Sequence, residues 1–329
     1  MAIVFRRLVL LTACLAFVVV VVGAYVRLED AGLGCPDWPG CYGQLIGVPM
    51  QDHEIARAKH EFDRVVDVGR AQKEMFHRYI AGTLGLLILA IAILAWRERA
   101  VLGQSRFLPT ALVLLVAFQA TLGMWTVTML LKPVIVTLHL LGGMATLGLL
   151  TWLALRQLPV PIPAAESARL RPWAGLALIV LIAQIALGGW VSTNYAALAC
   201  VDFPTCDGTW LPPMDFRHAF HLVRELGVTA AGAPLSHEAL MAMHWMHRLG
   251  ALVTLLVVGA VALRALRTPG FSILGGALLA LLFVQLGLGI TNVLLRLPLA
   301  LAVAHNAGAA LLLVALVVLN FALSRKSPR

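Results

Sequence analysis

Glu74-Met75-Phe76-His77-Arg78 and, 170 residues further on, His244-Trp245-Met246-His247-Arg248 are the stretches whose reading decides the fold. Each opens a long apolar run and sets an ionisable residue three places ahead of a His-Arg pair, so that these side chains share one helix face. An ionisable group entering a membrane span is costly, and its default reading is a functional site turned toward the bundle interior. The two stretches are alike but not identical, and the difference that changes the chemistry is Glu74 against His244. That asymmetry is where chemistry is expected.

Hydrophobic residues make up 60% of the 329 and charged residues 12%, with a mean hydropathy of +0.89, which excludes a soluble globule. The net charge of +9 does not point to nucleic acid, because the bases lie in short clusters between apolar runs, as topology signals do. Eight runs are long enough to cross a bilayer: Leu8–Val26, Met75–Trp96, Phe107–Val127, Val134–Leu155, Trp173–Thr193, Ala242–Ala265, Phe271–Val293 and Leu299–Leu323. The first follows Arg6-Arg7 but is read as a retained span, since no small-residue cleavage site follows it. The N-terminus, Trp96–Arg106, Arg156–Arg171, Arg264–Arg267 and the C-terminus hold thirteen Lys and Arg, Lys326 and Arg329 among them, against only Glu98 and Glu166. Both termini are therefore expected on the cytoplasmic side of a cell (inner) membrane, with segments 28–73 and 194–241 outside.

An internal repeat fits this count. A shift of 165 carries Gly23, Val26, Cys35, Asp37, Pro39 and Cys41 onto Gly188, Val191, Cys200, Asp202, Pro204 and Cys206. A shift of 166 carries Gln119, Leu122, Gly123 and His139 onto Gln285, Leu288, Gly289 and His305. The expected fold is an all-α membrane protein whose eight transmembrane helices form two tandem four-helix bundles, 1–160 and 161–329, related by pseudo-twofold symmetry. Their common axis would lie along the membrane normal, since each half holds an even number of spans.

His77, His139, His247 and His305 all fall near the starts of spans that run from outside to inside. Two histidines per bundle at one depth on alternate helices is what axial ligation of a haem iron requires. A di-metal carboxylate bundle is disfavoured because Glu74 is the one acid at a predicted span, and zinc because neither half clusters a third or fourth ligand. Arg78 and Arg248 are expected to meet haem propionates at the outer interface, where Arg binds carboxylates bidentately. Among the five cysteines, Cys14 reads as packing inside a span, while Cys35–Cys41 and Cys200–Cys206 are expected as external disulfides, either staples or redox-active pairs.

In joint order these features resemble the haem A synthase family, over nearly the whole chain. The resemblance implies oxidation of the C8 methyl of haem O to a formyl group through successive hydroxylation, giving haem A for terminal cytochrome oxidase. It assigns His77 and His139 to the substrate haem, His247 and His305 to a haem B cofactor, and a catalytic role to Glu74. It also implies haem O as substrate, with hand-over from a haem O synthase, the electron-transfer partner and any homo-oligomer left open.

The competing class is a non-enzymatic di-haem b-type electron-transfer cytochrome, which explains four histidines but not Glu74 against His244. A transporter of parallel repeats would place its polar residues at mid-span, and here they cluster at the outer ends. His53, His60, His218, His221 and His237 show no metal spacing and read as solvated loop residues; Gln119 and Gln285 read as packing polar residues.

Overall fold

The computed structural model describes residues 2–99, 105–158 and 169–325. Glu166, Lys326, Arg329 and the expected 160–161 boundary lie outside them. Among the described residues eight helices are long and apolar enough to cross a membrane: Ala2–Leu28, Val68–Arg97, Phe107–Thr128, Pro133–Leu155, Arg171–Thr193, His237–Arg267, Ser272–Leu294 and Leu299–Ser324, the first to eighth spans. The chain is an all-α, multi-pass membrane protein. Outward-facing Leu86, Leu114, Leu256 and Ile273 are exposed, as suits a hydrocarbon surrounding that is as apolar as leucine itself. Cys14, expected as packing, lies on such an exposed face.

The second and sixth spans begin earlier than their apolar runs because polar caps start them. Asp67 accepts a hydrogen bond from the Arg70 amide at 3.0 Å, and Ser236 accepts one from the Ala239 amide at 3.2 Å. The helices therefore begin at Val68 and His237, inside segments read as external up to 73 and 241. Glu74 and His77 consequently sit well inside a helix, about two turns from its start.

The chain divides into two compact units, Met1–Thr146 and Leu147–Arg329. Within the second, the fifth span packs on the sixth, the sixth on the seventh, the seventh on the eighth and the eighth back on the fifth. That closes a ring of four helices. Within the first, the first span packs on the second and the second on the third. The fourth completes the ring through Gly123 against His139 and Gly143 against Val20. The inner end of the fourth span is grouped with the second unit, where Trp152 meets Phe321 edge-on at 5.0 Å between ring centroids.

Local details recur between the units. Leu130 and Leu131 leave the third span with φ of 50° and 57°, and Arg296 and Leu297 leave the seventh with 58° and 62°. In each case the second residue's amide returns to a carbonyl five residues back, Leu131 to Thr126 at 2.8 Å and Leu297 to Asn292 at 2.7 Å. This is the Schellman way of satisfying a helix end, here with leucine and arginine accepting the left-handed strain that glycine usually takes.

Both expected disulfides are present, Cys35–Cys41 and Cys200–Cys206. Each is followed by a two-residue turn, Tyr42-Gly43 or Asp207-Gly208, with positive φ at both residues. Cys41 and Gln44 exchange backbone hydrogen bonds across the first turn, as Cys206 and Thr209 do across the second. Inside each loop a carboxylate gathers the turn amides: Asp37 accepts from Tyr42 at 2.6 Å and Gly43 at 2.9 Å, Asp202 from Asp207 at 2.7 Å and Gly208 at 3.0 Å. The Thr205 hydroxyl, bonded at 2.5 Å, is the largest of the influences that hold the Asp202 carboxyl down at about 2 from its ordinary 3.8, with the two amides adding to it.

A depressed carboxyl stabilises the folded loop fully above the unfolded value and loses that contribution as pH falls through the folded one. Hydrogen-exchange protection of the Asp207 and Gly208 amides, corrected for intrinsic rates, should be level from about pH 7 to 5. It should begin to fall below about pH 4 and be lost near about pH 2. Protection that declines in step with a group titrating near neutrality would show that Asp202 does not hold the turn.

Candidate functional site

Four histidines lie against four glycines. A Cβ placed on Gly23 would come within 2.9 Å of the His77 ring, on Gly123 within 3.5 Å of His139, on Gly188 within 2.9 Å of His247, and on Gly289 within 3.1 Å of His305. In every case the glycine is on an odd-numbered span and the histidine on the next. The absence of a side chain on one helix is what admits the imidazole of its neighbour, the close approach that small residues permit in membrane bundles. The pattern covers both units, so the repeat read from sequence is also a repeat of contacts.

Each ring is half-buried, while Nδ1 of His77, His139 and His305 is sealed and has no hydrogen-bond partner. That leaves Nε2 as the accessible nitrogen. In the second unit the rings of His247 and His305 face one another with centroids 6.5 Å apart and planes inclined at 78°. Two metal–nitrogen bonds of about 2 Å plus roughly 1 Å from each nitrogen to its ring centre add to about 6 Å. A single metal atom therefore fits between the two rings, and an iron held on a porphyrin meets the donor set. No group of three or more His, Cys, Asp or Glu able to hold a bare ion occurs among the described residues. In the first unit His77 and His139 lie within electrostatic reach of one another.

The start of the second and sixth spans is tied to the disulfide loops. Glu74, only 5% exposed, accepts from the Cys35 amide at 2.9 Å through one oxygen and from Arg78 at 2.5 Å through the other. His244, 4% exposed, takes the same position in the second unit and accepts from the Cys200 amide through Nδ1 at 3.4 Å. The asymmetry noted in the sequence is therefore one of charge at a shared structural position. Glu74 keeps lone pairs beyond the two it has committed.

Arg78 and Arg248, the arginines expected near haem propionates, are bonded to the disulfide loops. Arg78 donates to the carbonyls of Asp37 at 2.9 Å, Pro39 at 3.3 Å and Gly40. Arg248 donates to Thr205 at 2.7 Å, Asp202 at 2.9 Å and Cys200 at 3.0 Å. The reason is the loop: a short disulfide-closed turn leaves several carbonyls converging without strand partners, and a planar guanidinium with five donors satisfies them together. The cystine residues are themselves buried, at 0% and 1% exposure.

Sequence reasoning missed Gln184. Its Nε2 donates to the His247 carbonyl at 3.0 Å and contacts the His247 Nδ1 at 3.1 Å. Gln285, read as packing, likewise donates to the His305 carbonyl at 2.9 Å. The signal that would have found Gln184 is its spacing, four residues before Gly188, shared with Gln119 before Gly123 and Gln285 before Gly289. Of the loop histidines, His218 meets Asp215 at 2.5 Å and stays at the surface.

Residues 6–317 match the family model described as COX15-CtaA, cytochrome oxidase assembly protein. A Heme A synthase of Shewanella oneidensis is 46% identical over 326 residues, covering 96% of each chain. A Heme A synthase of Caulobacter sp. strain K31 is 31% identical over 325 residues, 92% of this chain and 90% of its own. That of Rhizorhabdus wittichii is 28% identical over 93% of this chain and 90% of its own. With nearly every span inside the matched region, the chain belongs to the COX15-CtaA family of cytochrome oxidase assembly proteins.

Proposed function

We propose that this protein is a haem A synthase, which oxidises the C8 methyl of haem O to a formyl group and supplies haem A to terminal cytochrome oxidase. The reading is carried by the facing pair His247 and His305, 6.5 Å apart, in a chain that repeats the same histidine–glycine seats in its other unit. The names of its relatives point the same way. In this reading His247 and His305 hold a haem B that supplies one-electron transfer, and His77 and His139 flank haem O.

Each hydroxylation takes two electrons and two protons from the methyl carbon and a water that supplies the oxygen, the electrons leaving one at a time to an external acceptor; after the second, loss of water from the diol leaves the formyl group. As the carbon is oxidised it gains cationic character and releases protons. Glu74 is the acid placed to respond, buried three residues from His77 and held in position by Arg78 and the Cys35 amide. A carboxylate so fixed can stabilise the developing charge or accept a proton without reorganising. In the second unit His244 occupies that place, which suits a cofactor site that must transfer electrons without altering its haem.

The two units are in this reading tandem bundles, about 1–160 and 161–329, related by a pseudo-twofold axis along the membrane normal in a bacterial inner membrane. The Lys and Arg bias supports cytoplasmic termini and external disulfide loops. Haem O would arrive from a haem O synthase in the same bilayer.

Glu74→Gln should leave haem B content unchanged and accumulate haem O or the hydroxylated product, read by extraction and chromatography of bound haems. Normal haem A output from that variant would remove Glu74 from the chemistry. His247→Ala and His305→Ala should abolish the haem B signal in reduced-minus-oxidised spectra, whereas His77→Ala and His139→Ala should spare it and lose the substrate haem. Haem B alone in both sites of the purified protein would sink the enzyme reading and favour a di-haem cytochrome. Gly188→Ala should weaken second-unit haem binding by about tenfold or more, because its Cβ would displace the His247 ring.

A further inference from the structure

The four imidazole seats are not alike. In three of them two helices interlock reciprocally: the odd-numbered span carries Gln four residues before the seat glycine, and the even-numbered span carries Gly three residues after the histidine. The glutamines lie directly across those second glycines, Gln119 over Gly142, Gln184 over Gly250 and Gln285 over Gly308, leaving no space there for a Cβ. Gln184 and Gln285 then donate to the backbone carbonyls of His247 and His305. Gln119 keeps the placement, but its Nε2 finds no hydrogen-bond partner.

The seat of His77 departs at both positions. Under the shifts that align the repeats, the position of Gln184 is Val19 and the position of Gly250 is Ile80. Only Gly23, which admits the ring, is kept. Both halves of the interlock are replaced together by β-branched apolar residues. The Nδ1 of His77 has no partner, and among the described residues no side-chain amide reaches its carbonyl. Both second-unit histidines are thus fastened by a side-chain amide hydrogen bond to their backbone carbonyl across the helix interface, and His77 has neither the donor nor the gap to receive one.

We propose that Gln184 and Gln285 are positioning residues that fix the second-unit histidines as permanent haem ligands. Val19 with Ile80 leaves His77 as the exchangeable ligand through which the first unit takes up and releases its haem. This rests on the reading of the two units as substrate and cofactor sites. It adds what makes them differ in lifetime, since an enzyme that modifies a haem must release it while retaining the haem that serves it. Partners at the second ring nitrogen of a metal-bound histidine typically change affinity by about 10–100-fold when removed, enough to separate a resident from a transient ligand, and Gln184 contacts that nitrogen of His247 at 3.1 Å.

The test is haem transfer from the full-length purified protein to excess apomyoglobin, followed by absorbance, with His77→Ala and His247→Ala assigning the phases. The wild type should give a fast phase from the first unit and a slow one from the second. Val19→Gln with Ile80→Gly should slow the fast phase by about tenfold or more, and Gln184→Met, which deletes the donor at similar volume, should speed the slow phase by a similar factor. Gln184→Met should also shift the EPR g-values of the second-unit haem, which follow the angle between the imidazole planes, 78° here. Transfer rates within twofold of wild type in either variant, or unshifted g-values in Gln184→Met, overturn the proposal. Should the double variant not fold, Gln184→Met decides by itself. A wild-type protein that never takes haem in its first unit overturns this inference and the proposed function together, whereas two loaded sites with equal release rates overturn this inference alone.

Discussion

An imidazole inside a bundle of apolar helices needs somewhere to lie, and this chain solves that by removing a side chain opposite each one. The seats of His77, His139, His247 and His305 depend on Gly23, Gly123, Gly188 and Gly289, with close contacts of 2.9 to 3.5 Å for the missing Cβ. Much else follows from that approach. It brings neighbouring helices together without a hydrophobic drive between them, since leucine gains nothing by leaving lipid for protein. It seals Nδ1 and leaves Nε2 as the nitrogen open to a metal. It also sets the depth at which paired rings can meet, with 6.5 Å between the second-unit rings.

The disulfide loops act on the same helices from outside. Their convergent carbonyls are gathered by Arg78 and Arg248, one residue after the seated histidines. Each loop's first cysteine amide is taken up by the residue three places before the histidine. The external loop, the helix start and the seat are therefore one connected structure. At that junction a neutral imidazole suffices in the second unit, while the first carries a buried carboxylate paired to its arginine. Burying Glu74 is tolerable because both oxygens are bonded and its charge is opposed at 2.5 Å. The same connection gives both arginines a structural part in holding the loops.

The sequence was informative where a physical requirement is one-dimensional. Span count and membrane class follow from the length of apolar runs, because hydrocarbon thickness fixes the number of residues needed. The cysteine pairs follow from a spacing of six, and the four histidines stand out because ionisable residues in such runs are rare. Helix starts were less legible: Asp67 and Ser236 begin the second and sixth spans within polar segments, since capping depends on backbone geometry and not on hydropathy. Gln184 escaped notice because one amide in an apolar run is ordinary until its helix is seen beside His247.

What the sequence by itself determined is the set of parts: eight spans, two repeats, four imidazoles, two disulfide loops and one unmatched acid. Which parts touch was decided only in three dimensions. Glycines, arginines and glutamines acquire meaning there, because a gap, a fan of carbonyls or a free donor is a relation between helices that no single helix encodes. The repeat made those relations recognisable as four versions of one seat. Packing showed that the version around His77 lacks the glutamine–glycine interlock of the other three.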